Sequence, residues 1–242
     1  MKKINIIFPL ILVATLVSCK LGGFGIGVVT SKGKVDVANQ AATADEAEKE
    51  AILKELKTKR DGYKKEIADL KAKFEKEASR NEVTIPEVLK KELEKYKDQI
   101  HASLGYDNET HKNLNEAIKA LKLDTTTNGN KKEEELKIVY YVLGMLITLD
   151  EATTRILDKM LSDEMLEKIK NDKDALEGSV AELGKFIGSR DAFIRITQKA
   201  AKAAATAAAG AAENKADLTK VKAELNKIIA AATSSTSPSE TE

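Results

Sequence analysis

The chain has 242 residues, 40 Lys+Arg against 39 Asp+Glu, one Cys, two His, three Pro, no Trp and 4% aromatic residues. A disulfide framework needs paired cysteines and a structural zinc site needs several Cys or His, so neither is expected. A formal net charge of +1 gives no long-range field of one sign, and nucleic acid is not an expected partner.

Met1-Lys2-Lys3 is a short basic start, and Ile4 to Val17 is an apolar stretch interrupted only by Asn5, Pro9 and Thr15. It is too short to span a bilayer comfortably and reads as an export signal, residues 1–18. Leu16-Val17-Ser18-Cys19 follows the pattern L-x-small-C, in which a diacylglyceryl group is placed on the thiol before the leader is cut ahead of the cysteine. A chance cysteine at the end of a leader is the plainer reading. Its position, and its being the only one in the chain, favour lipidation of Cys19. Acyl chains contribute about 0.8 kcal/mol per buried CH2, so the lipid bilayer would hold the protein without a transmembrane helix. Cleavage would remove Lys2 and Lys3 and take the formal charge from +1 to −1. Residues 19–44, with Gly, Ala and Thr among small apolar residues, read as a flexible tether, and residues 233–242, rich in Ser and Thr, as a disordered tail.

Residues 45–232 show the 3–4 spacing of amphipathic helices and no sustained alternation. The expected fold class is all-α, an elongated bundle of about five or six helices. The first helix should run from Asp45 to Arg80, with Leu53, Leu56, Tyr63, Ile67, Leu70 and Phe74 on one seam that Arg60 interrupts. One narrow stripe on a charged helix suits a coiled-coil-like arm, and a homodimer along it is an open alternative. Thr84 with Glu87 and Pro86 forms a helix start of the capping-box kind, for a second helix reaching Ser103 and stopped by Gly105. Asp107 or Asn108 then caps a third helix carrying Leu114, Ala117, Ile118 and Leu121, and Thr125 to Lys131 reads as a loop.

Ile138 to Leu149 is the most apolar run after the leader. At about 1.5 Å per residue it is too short for a bilayer, and its all-round apolar character places it at the centre of the bundle. A fifth helix from Asp163 is expected to end near Gly188-Ser189. A sixth then begins at Phe193, passes through the Ala run Ala200 to Ala212 with a kink at Gly210, and closes at Ile229.

No catalytic residue, metal ligand or cofactor-binding motif is expected. His101 and His111 straddle the Gly105 turn and could approach one another, but nothing completes a metal site, and they read as surface or cap histidines. Glu133-Glu134-Glu135 reads as a solvated helix start favoured by the dipole. Tyr140 and Tyr141 could line a pocket, although core filling is the stronger reading. No Gly-rich loop follows a strand, so no dinucleotide or phosphate-loop site is suggested.

The sequence Leu16-Val17-Ser18-Cys19, the small-residue tether, the Lys/Glu-rich helices and the absence of Trp resemble an outer surface lipoprotein of Borrelia spirochaetes. Ser103-Leu104-Gly105-Tyr106-Asp107-Asn108, the helix to Leu121 and Tyr140-Tyr141-Val142-Leu143-Gly144 are loosely similar to the all-helical complement-regulator-acquiring surface proteins of that genus. The resemblance implies display on the cell outer membrane and a host ligand such as complement factor H, another complement component, plasminogen or fibronectin. It carries over one residue, the acylated Cys19, and no ligand-contact residues. The Ala-rich last helix and the Ser/Thr tail depart from the pattern. The alternative is a structural envelope lipoprotein that acts as a spacer or assembly partner without a host ligand.

Overall fold

The computed structural model describes residues 35–123, 132–210 and 215–234. Among them there is no strand, and the elements are α1 (Val35–Lys76), α2 (Glu87–Leu93), a 3-10 turn (Glu94–Tyr96), α3 (Lys97–Ser103), α4 (Asn108–Ala120), α5 (Glu133–Thr154), a π-helical turn (Arg155–Met160), α6 (Asp163–Ile169), α7 (Lys173–Gly210) and α8 (Lys215–Ser234). The all-α expectation holds. Cys19 and the tail beyond Ser234 lie outside the described residues, as does the whole of the expected Thr125–Lys131 loop.

Two apolar clusters hold the bundle, and α7 serves both. The larger one gathers α2, α3, α4, α5, the C-terminal half of α7 and α8 around Ile100, Leu114, Leu143, Leu146, Leu225 and Ile228. The smaller joins α1, the π-helical turn, α6 and the N-terminal half of α7 through Leu56, Tyr63, Leu157, Leu166, Leu176 and Leu183. As its sequence requires, α5 is the central helix: Ile138, Val139, Val142, Leu143, Leu146 and Ile147 are all buried. Ala200, Ala201 and Ala204 let α8 pack close to α7 with no side-chain entropy lost.

Several expected boundaries move. The first helix starts at Val35 rather than Asp45 and ends at Lys76 rather than Arg80, so residues 35–44 of the expected tether are helical; residues 19–34 are not described. Thr84 does not cap α2. Its amide donates to Asn115 Oδ1 (2.6 Å), and Pro86 occupies the N-cap position without a side-chain bond. The expected second helix is divided by the 3-10 turn at Glu94–Tyr96. The π-helical turn likewise interrupts the run that leaves α5.

Gly188-Ser189 does not end a helix, because α7 runs unbroken from Lys173 to Gly210. A glycine in a helix interior costs about 1 kcal/mol relative to Ala. The buried stripe Leu183, Phe186, Arg190, Phe193, at alternating steps of three and four, outweighs that cost. Gly210 is the last residue of α7 rather than a kink within a longer helix. A Cβ there would lie 2.7 Å from Asp217 Oδ2 in the first turn of α8. The two expected helices over residues 163–229 are therefore three, divided at different places.

Arg60, expected to interrupt the seam of α1, instead faces inward. Its Nε pairs with Asp61 (2.8 Å) and its Nη2 with Asp163 (2.9 Å), while Nη1 donates to the Leu161 carbonyl. It thereby ties α1 to the entry of α6. Leu70, expected on the same seam, is more than a third exposed. Leu143→Ala is expected to lower the unfolding free energy by about 2–5 kcal/mol. Val88→Ala, at a side chain 59% exposed, should change it by less than about 0.5 kcal/mol. Urea denaturation followed by far-ultraviolet circular dichroism measures both.

Candidate functional site

Helix α3 ends in a turn whose hydrogen bonds are those of a Schellman motif. The Tyr106 amide donates to the His101 carbonyl (2.9 Å) and the Gly105 amide to the Ala102 carbonyl (3.1 Å). Gly105 sits at φ +70°, and a Cβ on it would meet Ile194 Cγ2 of α7 at 3.3 Å. Both backbone conformation and close approach therefore call for glycine there. Tyr106 follows at φ 52°, a left-handed conformation that costs a non-glycine residue about 1–2 kcal/mol. Its ring is buried 5.9 Å from that of Phe74, which helps to hold it. Asp107 then caps α4 by accepting from the Thr110 amide (2.9 Å), the cap that the sequence left open between Asp107 and Asn108.

This turn closes one end of a cleft of about 420 Å³ between α1 and α7. Tyr63, Glu66, Leu70 and Lys73 stand on the α1 side. Arg190, Asp191, Ile194 and Arg195 stand on the α7 side. Charges of both signs thus alternate with apolar rungs, a lining suited to the mixed surface of another protein.

Arg190, 4% exposed, is the knot of the cleft. Nε donates to Thr153 Oγ1 (3.2 Å), Nη1 to the Tyr63 hydroxyl (2.9 Å) and Nη2 to the Ala102 carbonyl (2.9 Å). One guanidinium therefore links α7 to α5, α1 and the end of α3. The Tyr63 hydroxyl accepts from Arg190 and donates to Asp191 Oδ1 (3.0 Å), so it bridges a cation and an anion. Burial pushes the Tyr63 hydroxyl up to about 12, against the pull of Arg190.

Below the turn, His101 and His111 are brought together, with Nδ1 of the first 2.6 Å from Nε2 of the second. His111 Nδ1 faces the Asp107 carbonyl at 2.6 Å. A carbonyl can only accept, so these partners assign the proton of neutral His111 to Nδ1, and its Nε2 accepts from His101 Nδ1–H. The two rings lie under Phe74, whose centroid is 4.8 Å from His111 and 5.2 Å from His101. Of the expected surface or cap positions, the surface one fails, since both rings are buried, while His111 bonds the carbonyl of the N-cap residue Asp107. Burial lowers both, His111 to about 4. Among the described residues no group of three or more His, Cys, Asp or Glu could hold a metal ion.

The other singled-out residues lie away from the cleft. Tyr140 is buried in the main core, while Tyr141 is 39% exposed. Glu133 pairs with Lys137, but Glu134 and Glu135 both reach Lys222 of α8, and Glu135 is buried. The solvated-start reading fails for Glu135 because α8 covers that side of α5. Sequence reasoning missed Arg190, which stands beside the glycine and serine read as a break. Its place three residues before Phe193 and four after Phe186 was the available signal.

Asp150 was also missed. Burial raises its carboxyl to about 6 against the attraction of Arg190, with Asp98 and Glu151 adding repulsion. No family model, curated protein or solved structure matches the chain.

Arg190→Ala would leave three buried acceptors without their donor and should destabilise the fold by about 2–4 kcal/mol, whereas Arg195→Ala on the rim should cost less than about 0.5 kcal/mol. Denaturant titration of the two variants checks this contrast. The folded state holds the Asp150 proton more tightly than the unfolded chain does, so this group's contribution to stability falls as pH rises from about 4 to about 6. Asp150→Asn should then be more stable than the parent at pH 7.4, by on the order of 1 kcal/mol after discounting for solvent screening, with the gain gone by pH 4. Thermal melts across that range would show it.

Proposed function

We propose that the chain is a lipid-anchored protein of the bacterial cell surface, held on the outer membrane through acylated Cys19, whose helical bundle binds a host protein in immune evasion or adhesion. The observation that carries this reading is Leu16-Val17-Ser18-Cys19 placed directly after a basic and apolar leader. The cleft between α1 and α7 supports the binding half, since its alternating charged and apolar lining offers protein side chains both salt bridges and burial. The action is recruitment and not catalysis. Complement factor H, another complement component, plasminogen and fibronectin are the ligands that the family resemblance suggests. With a formal charge near zero after leader removal, the ligand is recognised through local patches instead of overall attraction.

No helix among the described residues is long and apolar enough to cross a membrane. Membrane retention would therefore test the anchor directly. The parent chain should incorporate labelled palmitate and partition into the detergent phase, Cys19→Ser should incorporate no label and keep its leader uncut, and protease added to intact cells should digest the parent chain. The parent immobilised at physiological salt should retain a serum protein. Retention of nothing from serum or matrix extracts, with the chain protected from protease on intact cells, would favour a structural envelope role instead.

A further inference from the structure

We propose that the His101–His111 pair is a pH-responsive latch, which fastens the C-terminal end of α1 to the α3–α4 turn while neutral and lets that end go when the pair is protonated, opening the cleft. Geometry sets the terms. Phe74 is the buried apolar side chain that fastens this end of α1, beside the Lys71–Asp98 ion pair, and with Ala102 and Tyr106 it makes a small apolar cluster apart from the two main ones. Phe74 lies over both imidazoles, and the fully buried His111 ring is wetted only when a neighbour such as Phe74 moves.

The neutral pair is complete. His101 Nδ1–H donates to His111 Nε2 and His111 Nδ1–H to the Asp107 carbonyl, which leaves His101 Nε2 as the remaining ring nitrogen with a lone pair. A first proton at His101 Nε2 places a charge on a largely buried ring beneath Phe74, where burial disfavours it. A second, at His111 Nε2, sets two N–H groups against each other across 2.6 Å. Both steps disfavour the closed arrangement.

The charged groups around the pair do not cancel this. The Asp107 carboxylate is occupied with the Thr110 amide and hydroxyl. Glu82 and Asp98 favour a charge on His101, and Lys97 and Arg80 oppose it. Asp98 is itself paired with Lys71 of α1 (2.7 Å), and Glu82 sits within 3.4 Å of Arg80 and 3.8 Å of Lys97. On Tyr106 in the same cluster, Asp150 of α5 and Glu75 of α1 act with one sign and Arg190 of α7 with the other. Two forces favour retention of the first proton, namely a charge-assisted hydrogen bond to His111 and the face of the Phe74 ring. If they prevailed, acid would tighten the latch.

The sign follows from linkage. A histidine lowered on folding stabilises the closed form above about 6.5, and that contribution is lost as pH falls towards the folded value. The opposite trend of Asp150 overlaps this window, so the test is made on the Asp150→Asn chain as well as the parent.

The full chain in a non-ionic detergent would be followed by hydrogen exchange at pH 7.4 and 5.0, corrected for intrinsic rates, while its two histidine Cε1–H resonances are titrated. The expected result is that amides of residues 70–76 gain about tenfold in corrected exchange at pH 5.0, while those of residues 218–228 in α8 stay unchanged. The histidine resonances should titrate below 6.5. His101→Gln keeps a donor for His111 Nε2 but has no nitrogen to protonate, and should remove most of the gain. If that variant does not fold, the parent titration and exchange decide. Slower exchange at residues 70–76 in acid, an equal gain in α8, or histidines that titrate at or above 6.5 would overturn the latch.

Discussion

A single buried guanidinium joins the two halves of this bundle. Arg190 stands on α7 between Phe186, which belongs to the smaller apolar cluster, and Phe193, which belongs to the larger. Apolar packing alone does not fix how two such clusters are turned relative to each other, because hydrophobic contact is non-directional. The three hydrogen bonds of Arg190 to Thr153, Tyr63 and Ala102 do, since a planar fork donates to oxygens only along set directions. The Thr153 hydroxyl spends its own proton on the Leu149 carbonyl (2.7 Å) and is left as an acceptor facing Arg190. Each partner is thereby satisfied in one arrangement and left short in others.

The same knot explains why α7 is continuous. Gly188 and Ser189 have low helix propensity, and read locally they look like an end. Tertiary contacts on both sides of them override that preference: Leu183 and Phe186 anchor the helix below, Arg190 and Phe193 above. Where local signals and burial agree, as for α5, the Gly105 stop and the Asp107 cap, the element was legible in the residues. Where a distant group competes for the backbone, as Asn115 does for Thr84, it was not. The cleft itself belongs to this second class. Tyr63, Gly105 and Arg190 are far apart in the chain, and periodicity places each on a face without saying which faces meet.

Buried polar groups carried the information that composition hid. Two histidines in 242 residues look incidental, and the spacing of ten between His101 and His111 shows only that a turn could bring them together. The Schellman turn does so, because its left-handed Gly105 and Tyr106 redirect the chain and bring the start of α4 near enough to the end of α3 for the two rings to meet. Arg60 follows the same logic in the middle of α1. A charge on an apolar seam looks like a flaw until Leu161, Asp61 and Asp163 supply its partners.

These contacts distribute stability unevenly along α1. Its middle is held by Leu56, Arg60 and Tyr63, with partners in the π-helical turn, α6 and α7, whereas its C-terminal end has Phe74 over two imidazoles as its one buried anchor beside the exposed Lys71–Asp98 pair. Elements with few buried anchors open at lower free energy than those at the centre of a core. The cleft wall that moves most readily is therefore the one built from the end of α1, and the opposite wall, α7, is shared by both clusters and stays fixed. A surface that is to accommodate a partner benefits from that asymmetry, because the rigid side preserves the placement of Arg190 and Asp191 while the other adjusts to what is bound.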